Sequence, residues 1–259
     1  MQVGVHPEPQ PWAEKQFAGA KLTDVRRVAR VKKIAEPMAV QPGRSMPQLC
    51  GSPYAVKATY HLFEHEEATP DTRQAGHRAV VLPEMRQPGV SLFLEDTTEL
   101  SWAGKQAIAG LGPIGNSAAG LPGFFVHTVL GVRWQDAAPT NSTRRPVAVL
   151  GLGDQQDYVR TPGRRPRESS QERLKRDRES QVWPQARQHV GRAPAGVRWM
   201  RVADREADID AYLVSGQELG HGFVIRAAKD RALSHPETGK RAGRLCAAAR
   251  SAVPLGELT

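Results

Sequence analysis

The spacing of apolar residues changes character near residue 85. Before it, apolar side chains recur every three or four positions, the period of a helix with one buried face. In PWAEKQFAGAKL, the anchors Trp12, Phe17 and Leu22 predict a first helix. In VRRVARVKKIAEPM, the stripe Val25, Val28, Ala29, Val31 and Ile34 predicts a second, opened by Thr23 or Asp24 as cap. Arg26, Arg27, Arg30 and Lys33 fall largely on its other side. QPGRSM reads as a turn. SPYAVKATYHLFEHEEATPDTRQAGHRAVV predicts two more helices, with Tyr60, Leu62 and Phe63 in the core. The second of these opens at Thr69-Pro70-Asp71, with proline at the first helical position.

From about Pro88 the pattern becomes that of strands. GVSLFLED, GFFVHTVLGVRW and RPVAVLGLG are apolar or alternating runs joined by glycine-rich turns, and they predict three antiparallel strands. A helix follows over SSQERLKRDRESQVWPQARQHV, which Pro184 should kink or end. Next comes an apolar lead-in through Val197, Trp199, Met200 and Val202 to Asp204, then a helical stretch through Ile209, Tyr212 and Leu213, then a strand at Phe223, Val224 and Ile225. The fold class is mixed α/β, with a helical domain over 1–84 and a mixed sheet with flanking helices over 85–259. The first half of TPGRRPRESSQERLKRDRES is basic and biased, and predicts a mobile loop.

Composition narrows the function classes. No apolar run approaches the roughly 18 residues of a membrane span, and MQVGVHPEPQPW lacks the pattern of a secretory leader. Cys50 and Cys246 fit no metal or redox spacing, so a reducing, cytoplasmic setting is the default. The chain carries 36 Lys and Arg against 27 Asp and Glu, a net charge of +9. That excess reads either as a polyanionic partner such as nucleic acid or as the arginine usage of a GC-rich genome. Its clustering favours nucleic acid.

Two aspartates carry the candidate chemistry. In GVSLFLEDTTEL, Val90, Leu92 and Leu94 alternate up to Asp96; in RVADREADIDAY, a strand runs into Asp204. Each aspartate alone could serve a turn or a helix cap. Together they suit a two-metal phosphoryl-transfer site, because hard divalent cations take oxygen ligands. Glu95 points to the opposite strand face and is not assigned to metal. Glu206 and Asp208 read as supporting or structural acids around Asp204, and His127 as a core or hairpin histidine.

LEDTTEL, GFFVHTVLGV and VADREADIDAY, in that order and with about that spacing, resemble the IS-four (Tn-five-like) family of cut-and-paste DNA transposases. KLTDVRRVARVKKIAEPMAVQPGRSM resembles the end-binding helical domain of that family, so the resemblance covers nearly the whole chain. It implies a ribonuclease-H-like core with an Asp-Asp-Glu triad, Asp96 and Asp204 matching the first two acids. It also implies Mg2+ or Mn2+ as cofactor, and double-stranded DNA at transposon ends as partner. The setting it implies is the bacterial cytoplasm, with the protein nucleoid-associated when bound to DNA. Arg26, Arg27 and Arg30, with Lys33 and Arg44 behind them, are the expected DNA contacts; Arg164, Arg165 and Arg167 read as phosphate contacts or as a disordered loop.

The family's third acid lies in a Tyr-x-x-Arg-x-x-x-Glu pattern that does not occur here, and Glu257 sits in a Pro-Leu-Gly context unsuited to a helix. The chain therefore reads as a C-terminally truncated transposase, with a partial core that is inactive alone. The alternatives are a DNA-binding regulator that competes with intact transposase, and an inert fragment. The region that mediates pairing in the family is absent, which leaves the oligomeric state open.

Overall fold

The computed structural model describes residues 8–102, 108–115, 121–135, 147–160 and 181–253. Glu257, the basic run at 161–180 with Arg164, Arg165 and Arg167, and the first part of the helix expected before Pro184 lie outside them.

Five helices come first: α1 (Pro9–Phe17), α2 (Val25–Val40), α3 (Met46–Cys50), α4 (Pro53–Glu64) and α5 (Pro70–Met85). Asp24 caps α2 by accepting from the Arg26 N–H, and Thr69 caps α5 by accepting from the Thr72 N–H. The short α3 is opened by a reciprocal Ser45–Gln48 capping box. Ala20, Leu22, Val31, Leu62 and Ala68 form the core of this bundle, with Phe17 and Val28 packed against it. Four positions expected to face the core do not, the exposed Ala29 of the α2 stripe among them. Val25 is 79% exposed because it is the first residue of α2, ahead of the turns that meet a partner. Tyr60 and Phe63 are 44% and 36% exposed, because α4 turns Thr59 and Leu62 inward instead. Where α1 leads into its loop, the chain touches α5 backbone to backbone: a Cβ on Gly76 would lie 2.9 Å from the Gln16 carbonyl oxygen.

The sheet contains β1 (Gly89–Ser101), β2 (Gly112–Pro113), β3 (Pro122–Trp134), β4 (Val147–Tyr158), β5 (Val197–Ala203) and β6 (Gly222–Ile225). Its order is β4-β3-β1-β5-β6, with the two-residue β2 sharing the outer side of β3. β1, β3 and β4 are antiparallel neighbours; β5 and β6 run parallel to β1. Crossovers pass through α6 (Val182–Val190) and α7 (Asp210–Glu218). Pro184 stands near the start of α6, and the part of the expected helix ahead of it lies outside the described residues. The proline sits in the first turn, where a backbone N–H has no intrahelical partner to lose. A hairpin of β7 (Ala232–Ser234) and β8 (Arg241–Arg244) follows, then the exposed α8 (Leu245–Ser251).

One face of the sheet carries the main core. Val81 and Met85 of α5 and Ala186 and Val190 of α6 cover Phe93, Val129 and Trp199. The Trp199 indole N–H donates to the Met85 carbonyl at 2.8 Å. His77 joins bundle to sheet: its Nδ1 faces Gln16 Oε1 at 2.7 Å, and its Nε2 accepts from the Leu152 N–H at 2.8 Å. Gly151 makes room for that ring, with φ of 136° and a would-be Cβ 2.6 Å from it. Among the described residues, no helix is long and apolar enough to cross a membrane.

Candidate functional site

β1 does not stop at Asp96, as the sequence pattern suggests; it continues to Ser101, paired with β3 throughout. The event at Asp96 concerns the other neighbour. Parallel pairing of β1 with β5 ends at Glu95 opposite Ala203, so the next residues on the two strands are Asp96 and Asp204. Asp204 keeps an extended backbone (φ −77°, ψ −167°), which continues the alternation of β5. Glu95 is buried, while Asp96 and Asp204 are exposed, so the two aspartates share the face opposite the main core. Two expected strand-end carboxylates thus lie side by side where two central strands part.

Each aspartate also has a local context. The turn reading of Asp96 does not hold, because the residue lies within a strand. The cap reading of Asp204 does: its Oδ1 accepts from the Glu206 N–H at 2.7 Å and opens a short 3-10 turn, Arg205–Ala207. Partial burial raises the Glu206 pKa, and the negative field of Asp204, Asp96 and Glu99 raises it further. Four carboxylates therefore share one field, the kind of repulsion that a cation relieves. Among the described residues, however, no group of three or more His, Cys, Asp or Glu converges as a closed metal site would require.

Asp208 stands apart from this group. It accepts from the Ala228 N–H and pairs with Arg231, both at 2.8 Å, tying the loop after β5 to the chain after β6. Burial pushes its carboxyl up, yet those donors outweigh burial and hold it below the usual carboxylate range.

Behind the aspartates lies a buried network that the sequence reading did not anticipate. Glu95 Oε1 accepts from Arg201 Nη1 at 2.6 Å and from the Tyr212 hydroxyl at 2.7 Å. Its Oε2 lies 3.6 Å from His127 Nε2, and neither atom has a hydrogen-bond partner among the described residues. His127 is fully buried, as expected of a core histidine, and its Nδ1 lies 3.0 Å from Thr97 Oγ1. Burial pushes Glu95 up, but Arg201 above all, with His127 and Tyr212, keeps it ionised. Alternation through Trp199, Arg201 and Ala203 marks Arg201 as inward-facing, and this was the available signal for it.

In the helical bundle, Arg26, Arg27 and Arg30 line one groove of about 660 Å³ between α2 and α4, together with His61 and His65. Two of the three arginines are partly committed. Arg26 pairs with Asp24 at 2.8 Å, though its side chain stays 88% exposed; Arg27 pairs with Glu67 at 2.7 Å. The Arg30 side chain forms no ion pair or hydrogen bond among the described residues. Lys33 faces a separate groove on the α1 side with Lys32 and Glu36, and Arg44 lies exposed in the turn after α2. His61 and His65 were missed, although their four-residue spacing on a helix and its end was visible.

Residues 9–68 match the family model described as transposase DNA-binding. The matched segment runs from α1 through α4 and contains Arg26, Arg27, Arg30, Lys33 and Arg44. The match supports a transposase-family protein with DNA as a partner.

Proposed function

We propose that this chain acts in DNA transposition: its helical bundle holds duplex DNA at transposon ends, and Asp96 and Asp204 are two acids of a divalent-metal site in a partial ribonuclease-H-like core. The observation that carries this reading is the register of β1 and β5, which leaves the two aspartates adjacent on one face. The strand order supports it, since three antiparallel strands followed by two parallel ones across helices is the order expected of that core. The IS-four (Tn-five-like) resemblance and the DNA-binding match point the same way.

The donor set fits a hard cation. Both groups are carboxylates, both are exposed, and the acids around them share a repulsive field. Mg2+ or Mn2+ held by Asp96 and Asp204 would supply Lewis-acid activation of water and stabilisation of the leaving oxygen. The residues of this chain do the positioning. Asp204 is oriented by its bond to the Glu206 N–H, and Asp96 by pairing of β1 with β3. On the DNA side, Arg30 and the exposed Arg26 supply phosphate contacts, and their groove fixes the side of α2 that meets the duplex.

These 259 residues lack the Tyr-x-x-Arg-x-x-x-Glu pattern of the third acid. Phosphoryl transfer depends mainly on positioning, so Asp96 and Asp204 need a third carboxylate beside them to cut DNA. A low-salt gel-shift titration on duplex DNA, with Arg30→Ala alongside the unaltered chain, tests the binding half. Equal affinity of the two proteins would remove the α2–α4 groove as the DNA face.

A further inference from the structure

The buried network behind the aspartates lacks an explanation in stability alone. Glu95 and Arg201 are 4% and 0% exposed, and their pair sits at the fork where β1 leaves β5. Taking two charges out of water is expensive, and a well-packed apolar pair of the same volume is often as stable or more so. A charge pair differs from such a packing in being directional. Here one carboxylate reaches every element that frames Asp96 and Asp204. It lies on β1 one residue before Asp96, and it accepts from Arg201, three residues before Asp204 on β5. Its other donor is Tyr212 of α7, the helix that follows Asp204, and His127 of β3 flanks it.

The partners of Glu95 are themselves held. Arg201 lies 4.5 Å over the Phe93 ring, and its Nε donates to His221 Nδ1 at 3.3 Å. His221 Nε2 in turn donates to the Gly191 carbonyl at 2.9 Å. Arg187 lies 3.6 Å over the Tyr212 ring and donates to the Tyr212 carbonyl. Backbone pairing between β1 and β5 ends at Glu95, so beyond it the backbone no longer sets the strand separation. The clamp holds the β1 member of that last pair, with Arg201 reaching it diagonally from its place opposite Phe93.

We infer that Glu95, gripped by Arg201 and Tyr212, is a positioning residue that sets the spacing of Asp96 and Asp204 and thereby their joint affinity for a divalent cation. This rests on the metal-site reading given above. Groups that orient metal ligands from behind typically cost 10–100-fold in metal affinity when removed.

The test is Mn2+ titration calorimetry on the full chain. Asp96→Asn and Asp204→Asn establish the site, Glu95→Gln removes the buried charge, and Glu95→Leu/Arg201→Met replaces the ion pair by apolar packing. Circular dichroism melts confirm folding. Glu95→Gln and the double variant are expected to bind Mn2+ at least about tenfold more weakly than the unaltered chain. Should Glu95→Gln fail to fold, the double variant carries the test, because it removes both members of the buried ion pair together. A folded variant of either kind that binds Mn2+ like the unaltered chain overturns the inference and leaves the site intact. Mn2+ binding unchanged by Asp96→Asn and Asp204→Asn, or none at all, overturns the metal-site reading itself and the inference with it.

Discussion

Acidification should weaken this fold through His221. The imidazole is 5% exposed, and both ring nitrogens are assigned by their partners. Nε2 faces the Gly191 carbonyl and must carry the proton, so Nδ1 is the acceptor that meets the Arg201 Nε–H. A second proton would set N–H against N–H beside Arg201 and Arg187. Burial, then Arg201 and Arg187, lower the pKa from 6.5 to about 4. The folded pKa thus lies below the unfolded one, and between them the unfolded chain binds more protons. The contribution is fully present above about pH 6.5 and is lost as pH falls toward about 4. At 1.36 kcal/mol per pH unit this amounts to about 3 kcal/mol, a sizeable part of the roughly 5–15 kcal/mol that holds a domain together. Carboxylates also titrate over part of this range, so the informative quantity is a difference. Urea denaturation at about pH 7 and about pH 4.5 should show a pH-dependent loss in the unaltered chain that is smaller by about 2–3 kcal/mol in His221→Gln. Equal losses in both proteins would refute the assigned ring geometry.

Other consequences are sharp enough to check. Arg30→Ala should reduce the slope of log affinity for duplex DNA against log salt by about one, as for one lost phosphate contact; filter binding across a salt series reads this. Gly76→Ala should destabilise the bundle by about 1–3 kcal/mol, since the new Cβ would meet backbone at 2.9 Å; a thermal melt that does not move contradicts the contact. With Mg2+ or Mn2+ and DNA carrying transposon ends, the chain should show no strand cleavage or transfer, and activity lost on Asp204→Ala would reveal a third ligand.

Elements with strong local signals were legible in the sequence. Asp24 and Thr69 cap the helices they precede, and the three apolar runs are the three antiparallel strands. What depends on neighbours was not legible. The polar stretch Thr97–Ser101 has no apolar alternation, yet it extends β1, because β3 offers it a partner as far as Gly123. Tyr60 and Phe63 look like core from composition, but α4 presents another stripe. Asp96 and Asp204 could each be named from the sequence; that they fall level with one another follows from strand register, which sequence periodicity does not contain. Glu95 was read as turned away from the metal face, and its burial agrees, but its partners lie 106 and 117 residues further along the chain. Within the α2 cluster, the sequence did not separate Arg30 from Arg26 and Arg27, whose acidic partners only the tertiary fold and the cap geometry identify.

The central claim is that a divalent cation is held by Asp96 and Asp204, where β1 and β5 part. Iron-directed backbone cleavage tests it most directly: Fe2+ occupying the site generates short-lived oxidant that cuts nearby peptide bonds. With ascorbate and peroxide, cuts close to Asp96 and Asp204 are expected, suppressed by excess Mg2+ and abolished in Asp96→Asn and Asp204→Asn. Cuts elsewhere, or the same cuts in both variants, would contradict a metal site at these residues.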